Sequence, residues 1–397
     1  MHQSHRDFLE RILSHIEQKT SESVGIYDSL GKVLATDIKA LRPFPAKDTV
    51  SANGYAIICD NTKDTPINLR VIGESTAETP FNGNIKDGLA VRTYVGSPLP
   101  EGADTVIEDN ECEVEGDSIK INTTALHSQN ILYCGIDFQI DEIMLKKGYK
   151  ITAIDLAIAA SMNLSSLNVS KPPEIGILEI GDMLIKPGEG VDPEQTISTT
   201  DIILNSFAKS EGANATDFGI VSENEGSITK KLKSIKGMDL IVTTGGISKS
   251  SSDALKKVLE KNNNTLETLK LSLSEDISII FSKIGNTPLL CLPSHPISTY
   301  IACILFLKPI IRYMNNSTEK THFNDIAVLD RDLDVNDLKM DYICSHLTTD
   351  DGKTLKAMPA SSYDKMLMST LLSSDCLVQV NKKGCKKGYS VGIIPLS

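Results

Sequence analysis

The 397-residue sequence lacks the cysteine patterns of a disulfide-rich or zinc-binding protein. No two of its cysteines form a CxxC pair, and no group of them has the spacing of a zinc site. Several lie among apolar residues, so we expect reduced thiols in the core of a cytoplasmic protein. The eight cysteines are Cys59, Cys112, Cys134, Cys291, Cys303, Cys344, Cys376 and Cys385.

The sequence also has fewer basic residues than acidic ones. The chain has 40 Lys and Arg against 52 Asp and Glu, a formal net charge of -12. A broad nucleic-acid-binding surface needs clustered cations, so nucleic acid is not expected as a partner. Any anionic ligand must be held locally, by a few cations, by backbone amides or by a metal ion.

The sequence has no uninterrupted apolar run long enough for a membrane span. The first residues, "MHQSHRDFLERILSHIEQ", predict an amphipathic helix because they lack the apolar stretch of a signal peptide. The most apolar window, "ISTYIACILFLKPIIRYM", is interrupted by Lys308 and Pro309 and predicts a buried helix. No membrane partner is expected.

The clearest pattern runs from residue 171 to residue 314, where apolar strands alternate with helices. Strands that are apolar throughout indicate a parallel sheet covered on both faces. The predicted strands are 174–180, 215–221, 238–244 and 288–292, and the predicted helices are 199–212, 225–237, 251–261 and the segment after "PSHP".

Three polar loops follow these strands: "GDML" (181–184), "TTGGISKSSSD" (243–253) and "LPSHP" (292–296). In an open α/β sheet, ligands bind beyond the carboxyl ends of the strands. Gly245 and Gly246 permit close backbone approach, and the helix after them directs its amides toward the same place, which favours a phosphate. Alone, a Gly-Gly turn followed by serines is also an ordinary strand-to-helix connection. Neither a GxGxxG motif nor a Walker loop is present.

The rest of the chain predicts three further parts. Short strands broken by Gly and Pro indicate an inserted β-rich domain, and "GCKKGYSV" is typical of a closing barrel strand. We therefore predict a multidomain α/β fold. Its parts are an N-terminal helical and linker domain (1–44 and 140–170), an inserted β-rich domain (45–139), an α/β domain with a parallel sheet (171–317) and a C-terminal β-barrel (318–397).

Seven stretches, in chain order, resemble the molybdopterin molybdenumtransferases, which are the MoeA family and the E domain of gephyrin. The resemblance covers nearly the whole chain. The stretches are "RPFPAKDTVSANGYAI" (42–57), "VGSPLPEGADTVIEDNE" (95–111), "GIDF" (135–138), "LKKGYKITAIDLAIAASMNLSSLNV" (145–169), "PPEIGILEIGDMLIKPGE" (172–189), "TTGGISKSSSDALKKVL" (243–259) and "LPSHPISTYIACILFLKPII" (292–311).

The resemblance implies an elongated homodimer whose active-site cleft lies between the α/β domain of one subunit and the β region of the other. The implied reaction takes adenylylated molybdopterin, a small-molecule pterin substrate, together with molybdate. With Mg²⁺ it releases AMP and inserts molybdenum into the dithiolene. A molybdopterin adenylyltransferase is an implied partner.

The same resemblance assigns roles to individual residues. The catalytic candidates are Asp182, Asn53 and Asp137, and the Mg²⁺ candidates are Asp182 and Asp201. The candidates for binding the molybdopterin are Gly181, Gly245, Gly246, Ser248, Asp253, Lys256, Pro293, Ser294 and Pro296.

Five sites depart from the family pattern. Asn53 replaces an acidic residue, Thr199 an Asp and Val95 a Thr. The stretch "LYC" (132–134) replaces a basic run, and the acidic stretch 273–278 replaces lysines that face the substrate. If the missing carboxylate at position 53 limits catalysis, Asn53→Asp should raise turnover.

The departures leave three functions open. In the first, the chain is an active, divergent molybdenumtransferase, in which Lys249 or Lys256 helps to hold the anion. Alternatively it is a molybdopterin-binding scaffold paralogue that has lost catalysis, or a related enzyme acting on another nucleotide-linked substrate. His295 stands in place of a loop Asn, where it either caps the following helix or takes part in altered chemistry.

Overall fold

The computed structural model describes residues 1–190, 192–247, 254–261, 265–273, 276–319, 325–334, 337–349, 354–361, 367–380 and 386–396. Its α-helices are α1 (Gln3–Leu13), α2 (Ala153–Ser161), α3 (Thr200–Ser210), α4 (Glu225–Ser234), α5 (Ala254–Lys261), α6 (Pro296–Ala302), α7 (Lys308–Met314) and α8 (Met368–Leu372).

The strands before residue 174 are short, as the frequent Gly and Pro predict. They are β1 (Ser21–Gly25), β2 (Ile38–Lys39), β3 (Thr49–Val50), β4 (Gly54–Ile57), β5 (Ile67–Ser75), β6 (Leu89–Thr93), β7 (Thr105–Glu108), β8 (Cys112–Glu115), β9 (Ser118–Ile121), β10 (Ile131–Leu132), β11 (Ile143–Leu145) and β12 (Ser166–Ser170). A six-stranded sheet in the order β7-β4-β6-β5-β9-β8 makes up the β-rich region, and β3 pairs with β10 beside it.

The later strands form the α/β sheet and the C-terminal barrel. They are β13 (Glu174–Ile180), β14 (Leu184–Ile185), β15 (Thr196–Ile197), β16 (Asn214–Val221), β17 (Leu240–Thr244), β18 (Glu267–Ser272), β19 (Asp276–Ile284), β20 (Thr287–Leu292), β21 (Asp325–Leu329), β22 (Tyr342–Thr349), β23 (Leu355–Pro359), β24 (Cys376–Gln379) and β25 (Ser390–Pro395). The predicted barrel is confirmed, closed in the order β21-β23-β22-β24-β25.

The α/β sheet has the order β16-β13-β17-β20-β19-β18. Its first four strands are parallel, which confirms the prediction from their apolar runs. The last two strands are antiparallel and were not predicted, because 273–278 was interpreted only as a substrate-facing segment. The described part of that segment instead follows β18 and begins β19.

Helices cover both faces of this sheet. On one face α3, α6 and α7 pack in the largest apolar cluster, and α4 and α5 pack in a second cluster on the other face. The first helix contributes Phe8, Leu9 and Ile12 to the largest cluster, so it packs within the α/β core rather than in a separate linker core. The domain limits stay predictions.

The apolar segment after "PSHP" is a core helix, as predicted. Among the described residues one helix, Pro296–Met314, is long and apolar enough to cross a membrane, but 72% of its most apolar window is buried within the protein. A π-helical turn, Cys303–Leu307, precedes Pro309. Such a turn accommodates a proline that lacks an N–H and crowds the preceding turn.

The described cysteines are all free thiols, in agreement with the prediction. Cys291, Cys303, Cys344 and Cys376 are buried. Burial raises the pKa of the thiols of Cys291 and Cys376 to about 12. These thiols therefore act as small apolar side chains in the core.

Candidate active site

The α/β sheet has a topological switch point between β13 and β17. The connection after β13 runs through α3 on one face, and the connection after β17 runs through α5 on the other face. The two connections leave the sheet on opposite faces, and it is at such a switch point that open α/β sheets bind ligands beyond the carboxyl ends of the strands. The residues at this point are Gly181 and Asp182 on one side, and Gly245 and Gly246 on the other.

The backbone at Gly245 passes very close to the neighbouring strand. Gly245 has a φ of +84°, and a Cβ built on it would lie 2.1 Å from the carbonyl oxygen of Ile180. Both facts require glycine at this position. The approach brings the Gly245–Gly246 turn against the end of β13, so the sheet edge presents backbone groups rather than side chains.

Asp182 is held in place by the end of β16. One carboxylate oxygen, Oδ1, accepts hydrogen bonds from the Ser222 hydroxyl and from the backbone N–H of Glu223, the latter at 3.1 Å. The Ser222 hydroxyl and then the Glu223 N–H keep the pKa of Asp182 below its usual value. The other oxygen, Oδ2, has no hydrogen-bond partner among the described residues. Asp182 is therefore an exposed, ionised carboxylate with one oxygen available to a ligand.

The third loop begins where β20 ends, next to β17. Leu292 pairs with Thr244, so Pro293, Ser294 and Pro296 lie beside the glycine turn. The Pro293 carbonyl accepts a hydrogen bond from the hydroxyl of Thr299 at 2.7 Å, which ties the loop to the first turn of α6. The structure thus brings the described parts of the three predicted loops to one edge.

His295 is the N-cap residue of α6 but does not cap it with its side chain. Its carbonyl accepts from the Thr299 N–H at 2.8 Å, and its Nδ1 is buried with no hydrogen-bond partner. Of the two interpretations of His295, the structure supports helix capping, and the cap is made by its backbone carbonyl and not by its side chain.

A buried polar network lies beneath this edge, and the sequence patterns did not predict it. Glu179 is fully buried in β13 and accepts hydrogen bonds from the hydroxyls of Ser198, at 2.6 Å, and Thr200. Lys186 contacts three carboxylates: Asp201, Asp217 at 2.9 Å, and Glu179 at 3.8 Å. Burial tends to lower the pKa of Lys186, but the hydrogen bonds that Lys186 donates to Asp201 and Asp217 outweigh burial and raise it.

Asp201, predicted as a metal ligand, belongs to this network. Its Oδ1 accepts from the Ser198 hydroxyl at 3.0 Å, and its Oδ2 accepts from Lys186. Both oxygens are therefore occupied by protein donors. Within the described ranges no group of three or more His, Cys, Asp or Glu has a metal-binding arrangement.

Asn53 and Asp137 lie apart from the sheet edge. Asn53 follows β3 and Asp137 follows β10, and because β3 and β10 are antiparallel the two residues are at opposite ends of that ladder. Asp137 is exposed, and its backbone N–H donates to the Phe44 carbonyl at 3.1 Å. Among the described residues no hydrogen bond or ion pair links either side chain to the three loops of the same chain.

Several other predictions can be located only in part. Ser248, Lys249, Asp253 and Glu275 lie outside the described residues. Lys256 is exposed on α5 and pairs with Glu260 at 4.0 Å. Asp276 begins β19, whose antiparallel register to β20 places it at the carboxyl edge, where it accepts a hydrogen bond from Ser272 at 2.8 Å.

The sequence did contain one sign of the network. Glu179, inside the otherwise apolar "EIGILEI", is unusual, because a buried carboxylate needs hydrogen-bond donors close by. Its partners, Lys186 on one segment and Ser198 and Thr200 on another, follow no spacing rule that would indicate them. Ser222, which orients Asp182, was missed for the same reason.

A sizeable cavity lies away from this edge. A cavity of about 610 Å³ opens at the amino end of the same strands and is lined by His15, Lys19, Asp239 and Lys283, among others. It contains none of the predicted site residues. We place the candidate site at the carboxyl edge because the switch point, the glycine turn and an oriented carboxylate coincide there.

Comparison with known proteins agrees with this architecture. Residues 3–163 match a family model described as "MoeA N-terminal region (domain I and II)", and residues 176–313 match one described as "Probable molybdopterin binding domain". The chain is 23% identical over 384 residues to the molybdopterin molybdenumtransferase of Haemophilus influenzae, covering 95% of this chain and 94% of that protein. It is 25% identical over 394 residues to that of Bacillus subtilis, covering 97% and 91%.

Solved structures show the same fold. The molybdopterin biosynthesis moeA protein of Pyrococcus horikoshii OT3 superimposes with a TM-score of 0.79 at 22% identity, covering 98% of this chain and 99% of that chain. The two family models follow each other in chain order, and the relatives are matched almost from end to end. The chain therefore belongs to the MoeA family.

Proposed function

We propose that the chain is a molybdopterin molybdenumtransferase of molybdenum cofactor biosynthesis. The proposed reaction inserts molybdenum from molybdate into adenylylated molybdopterin and releases AMP. The observation that carries this proposal is the switch point, where the glycine turn lies against the end of β13 and the ordered Asp182 follows that same strand. Curated relatives matched over nearly their full length carry the same name.

The phosphate-bearing part of the substrate fits the carboxyl edge of the sheet. Gly181, Gly245 and Gly246 supply backbone amides at this edge, and Pro293, Ser294 and Pro296 form the adjacent wall. Backbone amides hold phosphate oxygens without a large positive charge. This suits a chain with a net charge of -12.

Asp182 is the residue best suited to hold Mg²⁺. Mg²⁺ is commonly bound through one or two carboxylates together with substrate phosphates, and Asp182 keeps one oxygen available. When bound, the ion supplies positive charge against the phosphate oxygens. Asp201 is not proposed as a ligand, because Ser198 and Lys186 occupy its oxygens.

The proposed active form is a homodimer. Among the described residues neither Asn53 nor Asp137 is hydrogen-bonded to the edge of its own chain, and we propose that each contributes to the site of the partner subunit. Apolar side chains near them are exposed: Leu132 by 42%, Ile136 by 61% and Ile140 by 61%. A second copy covering them removes apolar surface from water.

The molar mass in solution tests whether the chain forms a dimer. Ile136→Asp together with Ile140→Asp should convert a dimer to a monomer, measured by light scattering after size-exclusion chromatography. Leu126→Asp, at an exposed leucine elsewhere in the β-rich region, is the control and should leave the mass unchanged. A wild-type monomer would contradict the proposal.

The reaction is tested with the purified chain, adenylylated molybdopterin, Mg²⁺ and molybdate. AMP release with a molybdenum-loaded product supports the proposal, and tight binding without AMP release shows a binding protein instead. Omitting Mg²⁺ and, separately, Asp182→Asn should each lower AMP release. The further proposals are a cytoplasmic location and a molybdopterin adenylyltransferase that delivers the substrate.

A further inference from the structure

The amide of Asn53 has a defined orientation. Its Oδ1 accepts a hydrogen bond from the backbone N–H of Val95 at 2.9 Å. A backbone N–H can only donate, so the amide oxygen must face it. The Nδ2 atom, with its two N–H donors, is therefore directed away from Val95. Among the described residues Nδ2 has no hydrogen-bond acceptor, and the residue is exposed.

The turn that carries Val95 is rigidly built. The Ser97 N–H donates to the Tyr94 carbonyl at 3.0 Å, and the Gly96 N–H donates to the Val50 carbonyl at 2.8 Å. Gly96 has a φ of +84°, the value that the third residue of a type II turn requires. The Val95 N–H is thus held in one direction, and it holds the Asn53 amide in turn.

The acidic groups around Asn53 are already paired. The guanidinium of Arg92 binds both carboxylate oxygens of Asp109, with Nη2 to Oδ2 at 2.7 Å, and lies 4.8 Å from the ring centre of Tyr55. Glu108 accepts a hydrogen bond from the Asn130 amide at 3.4 Å. The free donors of Asn53 therefore do not face an unpaired carboxylate.

A fixed amide with outward N–H groups cannot serve as a base, but it can bind an oxyanion. Hydrogen bonds to charged oxygens are the stronger ones. A carboxylate at position 53 would still accept from Val95, but its second oxygen would repel the anion that the amide attracts.

We propose that Asn53 donates its Nδ2 hydrogen bonds to a tetrahedral oxyanion, either molybdate or the phosphate of the pterin, in the site described under Proposed function. This assignment rests on that function and makes the amide a binding group. It contrasts with the expectation that Asn53 is a lost catalytic carboxylate, which predicts that Asn53→Asp raises turnover.

The test compares wild type, Asn53→Asp and Asn53→Leu. Equilibrium binding is measured separately for molybdate, inorganic phosphate and molybdopterin, and AMP release is measured on the same preparations. Both variants should bind the oxyanion about 10- to 100-fold more weakly, the loss typical of a hydrogen bond to a charged group. The aspartate variant should be the weaker binder, and its turnover should not rise. Weakening for molybdate alone identifies molybdate as the anion, and weakening for phosphate and molybdopterin identifies the pterin phosphate.

The control is Asn68→Asp, which makes the same charge change at an exposed position of β5 in the same sheet. It should leave binding unchanged. Higher turnover or undiminished binding in Asn53→Asp overturns this inference and leaves the proposed function in place. A wild type that releases no AMP but loses oxyanion binding on Asn53→Asp overturns the proposed function and supports the inference. A wild type that binds none of the three ligands overturns both.

Discussion

At the scale of single residues, the Gly245 turn combines two constraints that can be separated. Gly245→Ala introduces a side chain at a φ of +84°, with its Cβ 2.1 Å from the Ile180 carbonyl oxygen. Gly88→Ala introduces one at a φ of +78°, with no atom within 4 Å. The left-handed conformation alone costs about 1–2 kcal/mol. Gly245→Ala should therefore lower the free energy of unfolding by about 1–3 kcal/mol more than Gly88→Ala, because overpacking adds its own cost.

Urea denaturation of both variants measures the difference. Gly245→Ala should also weaken molybdopterin binding, because the displaced backbone lies at the proposed site, whereas Gly88→Ala should not. Equal losses of stability in the two variants would show that the strand end moves aside without cost and would contradict the close approach.

At the scale of elements, the Lys186 network joins the loop after β13 to β13, α3 and β16. Lys186→Met leaves Glu179 and Asp201, both buried, without their cation. Removing one partner of a buried pair costs about 3–5 kcal/mol, and we expect about 2–4 here because the Lys186 side chain is 27% exposed. Denaturant unfolding measures the loss.

Two variants complete the Lys186 test. Lys233→Met, at an exposed lysine of α4, should be near neutral. Adding Asp201→Asn to Lys186→Met should recover part of the lost stability, since it removes one of the unpaired charges. If Lys186→Met costs no more than Lys233→Met, the network does not stabilise the loop.

The same elements show what could be read from the sequence. Apolar runs and helical spacing located β13, β16, β17 and β20, and their shared direction put Asp182 beside the glycine turn. The hairpin of β18 and β19 was missed because the acidic residues at 275 and 276 were interpreted only as replacing lysines that face the substrate. The contacts of Glu179 and Lys186 could not be predicted, because they join positions 7 to 31 residues apart, from 179–186 to 186–217, that no periodicity relates.

At the scale of the whole molecule, the first helix joins the α/β core to the barrel. His5 is 3% exposed, and its Nδ1 lies 3.0 Å from the hydroxyl of Tyr342, on the first residue of β22. Its Nε2 lies 3.8 Å from Asp341, and the His2 ring lies 5.3 Å away, centre to centre. Burial lowers the pKa of His5 from 6.5 to about 4, although Asp341 acts in the opposite direction.

Because the folded-state pKa of His5 is below its unfolded value, the unfolded chain takes up the proton first as the pH falls. The contribution of His5 to stability should be complete above pH 6.5 and should decline by about 3 kcal/mol as the pH approaches 4. Denaturant unfolding of wild type and His5→Gln at several pH values measures this, since the glutamine does not titrate and the difference isolates His5 from the carboxylates. The control is His15→Gln, whose side chain is 45% exposed and which should keep the wild-type slope. A slope in His5→Gln equal to that of the wild type would show that the junction between the first helix and the barrel does not depend on a neutral His5.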